Sequence, residues 1–252
     1  MIEVRNRLYT QRFYSKELSV TDIFRAVHYI TYRGDKSKIP FWYSKEVNRT
    51  GIQNLRMDDD QFLRSFKPNT RNEIRRAEKE GCLFETNIPF EKFVTYYNKF
   101  ATEKGLVNID VGTLAKYNRI VTTSSIIMND FGTMQILAMH ATLFSEEDKS
   151  ATLMYSCSPR LEDGIDSKLI GWGNRYLHYR DFILFRNMGA ERYEWNGICV
   201  NSREHECYGI RKFKLGFHSE EVENIGLRTP LLMLMHFAKY RMLDKVLKRK
   251  VL

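Results

Sequence analysis

Residues 134–156 contain two runs of strand-forming side chains, 134–144 and 151–156, separated by the acidic turn Glu146-Glu147-Asp148. Two such runs joined by a short polar turn form an antiparallel hairpin. A helical stretch over about 166–188 follows, and Gly189 stands where a helix ends on a left-handed residue. Arg192-Tyr193-Glu194-Trp195 then reads as one further short strand. A hairpin, a long helix and a returning strand require a sheet with helices laid against it. The chain is therefore expected to be α+β, with a mostly antiparallel central sheet flanked by helices. Strand–helix alternation is too irregular for a doubly wound sheet. Neither GxGxxG nor GxxxxGK[ST] occurs, so no nucleotide loop of those types is available.

Upstream the apolar period is mostly helical. Thr21 reads as the cap of a helix running to Ile30, and 39–43 as an aromatic, extended segment. Asp58-Asp59-Asp60 charges the start of a helix; the same D-x-D is a metal motif in other settings, but here capping explains it. Thr70 and Glu73 have capping-box spacing ahead of a helix over 71–80, which carries Arg71, Arg75 and Lys79 on one face and is closed by Gly81. Further helices are expected over 89–104 and 113–128. Residues 209–217 read as a glycine-bounded basic and aromatic loop, and Pro230 as the first residue of a last helix. This divides the chain into an N-terminal extension (1–60), a core (61–228) and a basic amphipathic helix (229–252).

Composition limits the partners. The 252 residues hold 40 Lys+Arg and 31 Asp+Glu, a net charge of +9, which favours anions: nucleic acid, phosphorylated small molecules or an acidic membrane surface. No run reaches the roughly 18 apolar residues of a membrane span. Residues 1–5 lack the apolar segment of a secretory signal, so a cytoplasmic protein is expected. The cysteines at 82, 157, 199 and 207 form no CxxC pair; reduced thiols and no structural zinc are expected. In the last helix, Lys239, Arg241, Lys245, Lys248, Arg249 and Lys250 face one acid, Asp244. Such a helix suits the inner face of a membrane, and equally a partner subunit or the domain's own apolar surface.

Three segments carry a family resemblance. Residues 66–81, FKPNTRNEIRRAEKEG, resemble the F-K-x-x-T-R-x-x-I-R-x-A-x-K-x-G helix of the FemAB-like branch of the GNAT acyltransferase superfamily. Glu194-Trp195-Asn196-Gly197-Ile198 with 209–217, GIRKFKLGF, resembles that branch's D-x-G-G … G-I-x-x-F-K-x-G-F-G ending. Residues 173–181, GNRYLHYRD, resemble the central helix of FemAB-like proteins found with surface-polysaccharide genes. Glu194 stands in place of the motif's Asp, Asn196 in place of its first Gly, and His218 in place of its final Gly. The GNAT pyrophosphate loop Q/R-x-x-G-x-G/A is missing. The family's peptidoglycan members are tandems of two such domains and use aminoacyl-tRNA; this chain has the length of one.

The resemblance implies a GNAT-like fold and an acyl transfer. Arg71 and Arg75 would hold phosphate, since guanidinium forks suit it; a solvated face paired with Glu73, Glu78 and Glu80 is the alternative. Lys214 would stabilise the oxyanion of the tetrahedral intermediate. The base that deprotonates the acceptor is left open among His140, His178 and Glu194. Asn174, Asp181 and Arg211 lie in the same motifs and are further candidate substrate contacts. No metal is required. The expected reaction moves an acyl group, with acyl-CoA as cosubstrate, to an amino or hydroxyl group of a sugar nucleotide or lipid-linked sugar. An aminoacyl-tRNA-dependent transferase acting on a cell-wall precursor is the second reading. A non-enzymatic, membrane-associated, anion-binding adaptor is the third.

Overall fold

The computed structural model describes residues 1–128, 132–159, 166–198 and 205–238. It divides into two compact units: 1–48 with 223–252, and 49–222. In the first, β1 (Ile2–Arg5) pairs antiparallel with β2 (Thr10–Phe13), β2 pairs parallel with β3 (Val27–Tyr29), and the chain leaves along β4 (Ser44–Asn54). The chain returns along the last strand (Glu220–Arg228), antiparallel to β3. Tyr29, Tyr32, Tyr43, Ile225 and Leu227 form this unit's core. The helix expected over 21–30 is a short 3-10 turn, Val20–Phe24, followed by strand. Asp22 is buried inside the unit, bonded by Arg12 and Tyr29, and the alternation Val27-His28-Tyr29 feeds the sheet. Residues 39–43 are a turn rather than an extended segment, with Tyr43 N–H donating to Pro40 O at 3.1 Å.

The second unit starts with β4 and then α1 (Asp59–Ser65), α2 (Pro68–Lys79), β5 (Leu83–Thr86), α3 (Phe90–Glu103) and α4 (Val111–Ala115). The strands β6 (Ile120–Met128), β7 (Met134–Ser145) and β8 (Ser150–Cys157) follow, then α5 (Ser167–Asn187), β9 (Arg192–Glu194) and α6 (His205–Leu215). The returning strand is β10. Strand order is β4-β9-β8-β7-β6-β5, antiparallel except for β8 against β9. This is the expected α+β arrangement, and its hairpin and long helix lie where the sequence puts them.

Three local expectations change. The capping box is absent: α2 begins one turn earlier, with Pro68 in its first turn and Lys67 as cap, so Thr70 is a buried helical residue. Thr70 faces Gly216, where a β-carbon would stand 2.5 Å from its Oγ1, and Gly216 O accepts from Lys67 N–H. The helix expected over 113–128 is the short α4, stopped at the left-handed Asn118, and then a strand. Val121-Thr122-Thr123 and Ile126-Ile127 are β-branched and prefer the pleated surface. The loop expected over 209–217 is mostly the helix α6. Asp58 caps α1 as expected, accepting from Gln61 N–H, and Gly81 follows α2 with φ 82°. Residues 230–238 are helical from Pro230; the basic cluster from Lys239 onward lies outside the described residues.

The helix α5 packs on β7 and on α2. Its approach depends on Gly173, where a β-carbon would lie 2.6 Å from Leu137 Cδ1 and 2.7 Å from Leu137 Cβ. Overpacking a close-packed contact of this kind costs about 1–3 kcal/mol. Gly173→Ala is accordingly expected to lower the melting temperature by about 2–4 °C for each kcal/mol, measured by thermal denaturation.

Candidate active site

Strand β7 supplies one wall of the site. Leu137 packs toward α5, while Ile136, Met139 and Ala141 belong to the core under α3. Strict alternation would put Leu137 and His140 on opposite faces, because they are three residues apart. The register between β6 and β7 slips at Ser125/Ile126, opposite Leu137, and this bulge turns His140 toward α5 as well.

On α5, Asn174, His178 and Asp181 follow at i, i+4 and i+7 and so share a face. His140 Nδ1 lies 2.6 Å from Asp181 Oδ2, and its Nε2 lies 3.3 Å from Asn174 Oδ1. His140 and Asp181 are fully buried. Both ring nitrogens of His140 are therefore engaged by side chains of α5. The His178 ring lies 4.1 Å from that of His140 and 4.5 Å from that of Trp195, centre to centre, tilted against both. Burial first, then His140, Lys214 and Arg175, hold His178 well below the usual imidazole range, so it is neutral. Its Nδ1 is buried with no hydrogen-bond partner.

Lys214 sits in the last turn of α6. Its Nζ donates to Trp195 O at 3.0 Å and Gly197 O at 2.5 Å, just past the end of β9. Burial pulls its pKa down to about 8. An ammonium carries three N–H groups; two are used by these carbonyls, and one remains for a ligand oxygen. The carbonyls converge because Asn196 and Gly197 are both left-handed, with φ 50° and 78°. The two departures from the family glycines, Asn196 and His218, thus fall on backbone that keeps the glycine-like conformation, His218 having φ 62°.

Trp195 joins these groups. Its Nε1 donates to Ser219 Oγ at 2.6 Å, and that hydroxyl lies 3.2 Å from Gln53 Oε1 and 3.3 Å from Lys214 O. Gln53 and Ser219, with Lys67, Leu215 and His218, line a cleft of about 560 Å³ beside the end of α6. The parallel pair β8–β9 lasts only three residues, to Thr152↔Glu194, whereas β8 continues to Cys157. Its last five residues have no β9 partner. Lys214 stands at the β9 side of that opening.

The sequence candidates therefore separate. His140, Asn174, His178 and Asp181 come together, and Lys214 adjoins them through Trp195. Glu194 is buried at the end of β9. Arg175 pairs with Glu73 at 2.7 Å and lies 4.8 Å over the Phe213 ring, linking α2, α5 and α6. Arg71 donates to Arg64 O at 2.8 Å and Arg75 is exposed. Arg211 is held by Glu221 at 2.7 Å. Ser219 and Gln53 had no sequence signal, since neither belongs to a motif and their contact joins residues 166 apart. His140, His178 and Asp181 place donor atoms within 4.8 Å of one another, as a metal site would. The two imidazole planes are tilted by 38°; Asp181 Oδ2 is engaged by His140 Nδ1, while Asp181 Oδ1 and His178 Nδ1 are buried without a hydrogen-bond partner.

No known family model and no curated protein matches the sequence. Solved structures match the fold. FemX aligns with a TM-score of 0.61 at 14% identity, over 75% of this chain and 63% of its own, so this chain spans under two thirds of FemX. The L-PGS structure from Bacillus licheniformis gives 0.57 at 10% identity, over 90% and 80% of the two chains. The C-terminal DUF2156 domain of a putative lysylphosphatidylglycerol synthetase from Agrobacterium fabrum gives 0.53 at 11%, over 83% and 71%. At such identities the likeness is one of fold.

Proposed function

We propose that the chain is an acyltransferase that moves an aminoacyl group from aminoacyl-tRNA to an amino or hydroxyl group of a cell-envelope precursor. The observation that carries this reading is Lys214, a cation with two N–H groups fixed by backbone carbonyls and a third unspent. A fixed donor aimed at a developing oxyanion lowers the barrier of acyl transfer. In the proposed step the acceptor nitrogen or oxygen attacks the ester carbonyl, whose oxygen becomes an alkoxide against Lys214. The ester C–O bond then breaks, and the proton lost by the acceptor ends on the ribose hydroxyl.

Aminoacyl-tRNA is preferred to acyl-CoA because FemX and the two lysylphosphatidylglycerol-type structures share the fold, and because the sequence lacks the GNAT pyrophosphate loop. The face of α2 with Arg71, Arg75 and Lys79 suits a phosphate backbone, since Glu73 is turned to Arg175. Transfer from acyl-CoA to a sugar has no feature of its own in support.

Incubation with labelled aminoacyl-tRNA, or separately with labelled acetyl-CoA, tests the choice, with hydroxylamine as a surrogate acceptor. Protein-dependent hydroxamate from charged tRNA is expected. Hydroxamate from acetyl-CoA alone would overturn the donor assignment.

A further inference from the structure

The net charge is unevenly divided. The described part of the first unit, 1–48 with 223–238, holds 10 Lys+Arg and 6 Asp+Glu, a net +4, while 49–222 holds 24 of each and is neutral; the sequence of 239–252, outside the described residues, carries the other +5.

The same unit exposes large apolar side chains. Val20 is 77% exposed, Phe24 83% and Phe41 95%; in the last helix Leu234 and Phe237 are more than half exposed and Leu231 somewhat less. Three segments bearing them are tied together. Tyr43 Oη donates to Ser19 O at 3.3 Å, joining the turn at 39–43 to the 3-10 turn. Thr229 Oγ1 donates to Arg25 O at 2.6 Å and accepts from Val27 N–H at 3.0 Å, joining the last helix to the same turn. Lys16, Arg25 and Lys38 are exposed around them.

We infer that this corner docks on a membrane surface bearing anionic headgroups. Exposed apolar tips among cations suit a lipid interface, where the tips enter the acyl boundary and the cations meet the headgroups. Exposed apolar side chains gathered on segments that are tied together mark an interaction site, whereas singly scattered ones are ordinary surface. RNA fits less well: it offers phosphates to the cations and base faces to Phe24 and Phe41, but nothing to Val20, Leu231 or Leu234. The inference does not rest on the transfer reading, because binding is measured without donor or acceptor.

Co-sedimentation of the full chain with vesicles tests it. The protein is expected to bind phosphatidylcholine vesicles containing phosphatidylglycerol at about 30 mol%, to bind pure phosphatidylcholine weakly, and to dissociate as salt is raised. Phe24→Ser/Phe41→Ser keeps every charge and is expected to lower the partition coefficient at least about tenfold, with an unchanged melting temperature. Failure to bind anionic vesicles overturns the inference. So does equal binding by the double variant, or loss by that variant of binding to a single-stranded RNA when vesicles are not bound. Hydroxamate formation by the same double variant reports separately on the transfer reading.

Discussion

Lys214→Met is expected to reduce kcat by about 10²–10³, the effect of losing one preorganised oxyanion donor. Methionine keeps the aliphatic stem and removes only the charge and its N–H groups. The variant should fold and even melt at a higher temperature. The sign follows from the depressed pKa: the folded state disfavours protonated Lys214, so at pH below about 8 its burial destabilises the protein, and that penalty fades as pH rises toward the unfolded value. Removing the ammonium removes the penalty. Activity of the wild type is expected to fall as pH rises through about 8, where the cation is lost. Lys214→Arg, still charged at pH 9, should lose that alkaline limb while retaining a lower rate. Steady-state hydroxamate formation against pH, with thermal melts of each variant, checks both parts. A Lys214→Met enzyme as fast as wild type would remove the oxyanion role.

The layout of the active unit was legible where one signal dominated. Strand-forming runs on either side of Glu146-Glu147-Asp148 specify β7 and β8, and 21 helical residues between Asp166 and Met188 specify α5. Misreadings came where two rules competed. At 113–128 a helical start outweighed the β-branched run behind it. At Thr70 a capping spacing was genuine as a pattern, but Pro68 two residues earlier was already helical. At 209–217 two glycines suggested a loop, although Gly209 sits inside α6 and only Gly216 makes a close approach. Asn174, His178, Asp181 and Lys214 were legible as candidates from the motif segments, and His140 from its strand-forming run. Their grouping was not, because it depends on a bulge in β7 that no spacing announces and on Trp195, whose ring, indole N–H and carbonyl each meet a different group. Nor did the sequence show that the charge separates by unit, since the first unit is built from both ends of the chain.

The buried pair is the second large effect. Asp181→Leu is expected to destabilise the protein by about 1–3 kcal/mol, because it leaves His140 Nδ1 buried without its hydrogen-bond partner. Both residues are fully buried, so water does not replace the lost carboxylate. His140→Phe/Asp181→Leu should recover much of that loss, since an apolar pair leaves nothing unpaired. Chemical denaturation of the single and double variants measures the coupling; additive losses would mean that the two residues do not act as a pair. The same geometry bears on the reaction. His140 Nδ1 and Nε2 are both engaged, by Asp181 and by Asn174, so neither ring nitrogen is free to meet an acceptor in this arrangement. His178 has its Nδ1 unbonded, and burial first, then His140, Lys214 and Arg175, hold it well below the usual imidazole range. His140 and Asp181 then act by holding α5 and the His178 ring in place. His140→Phe should therefore affect stability more than the pH profile of transfer, whereas His178→Phe should alter the acid limb of that profile.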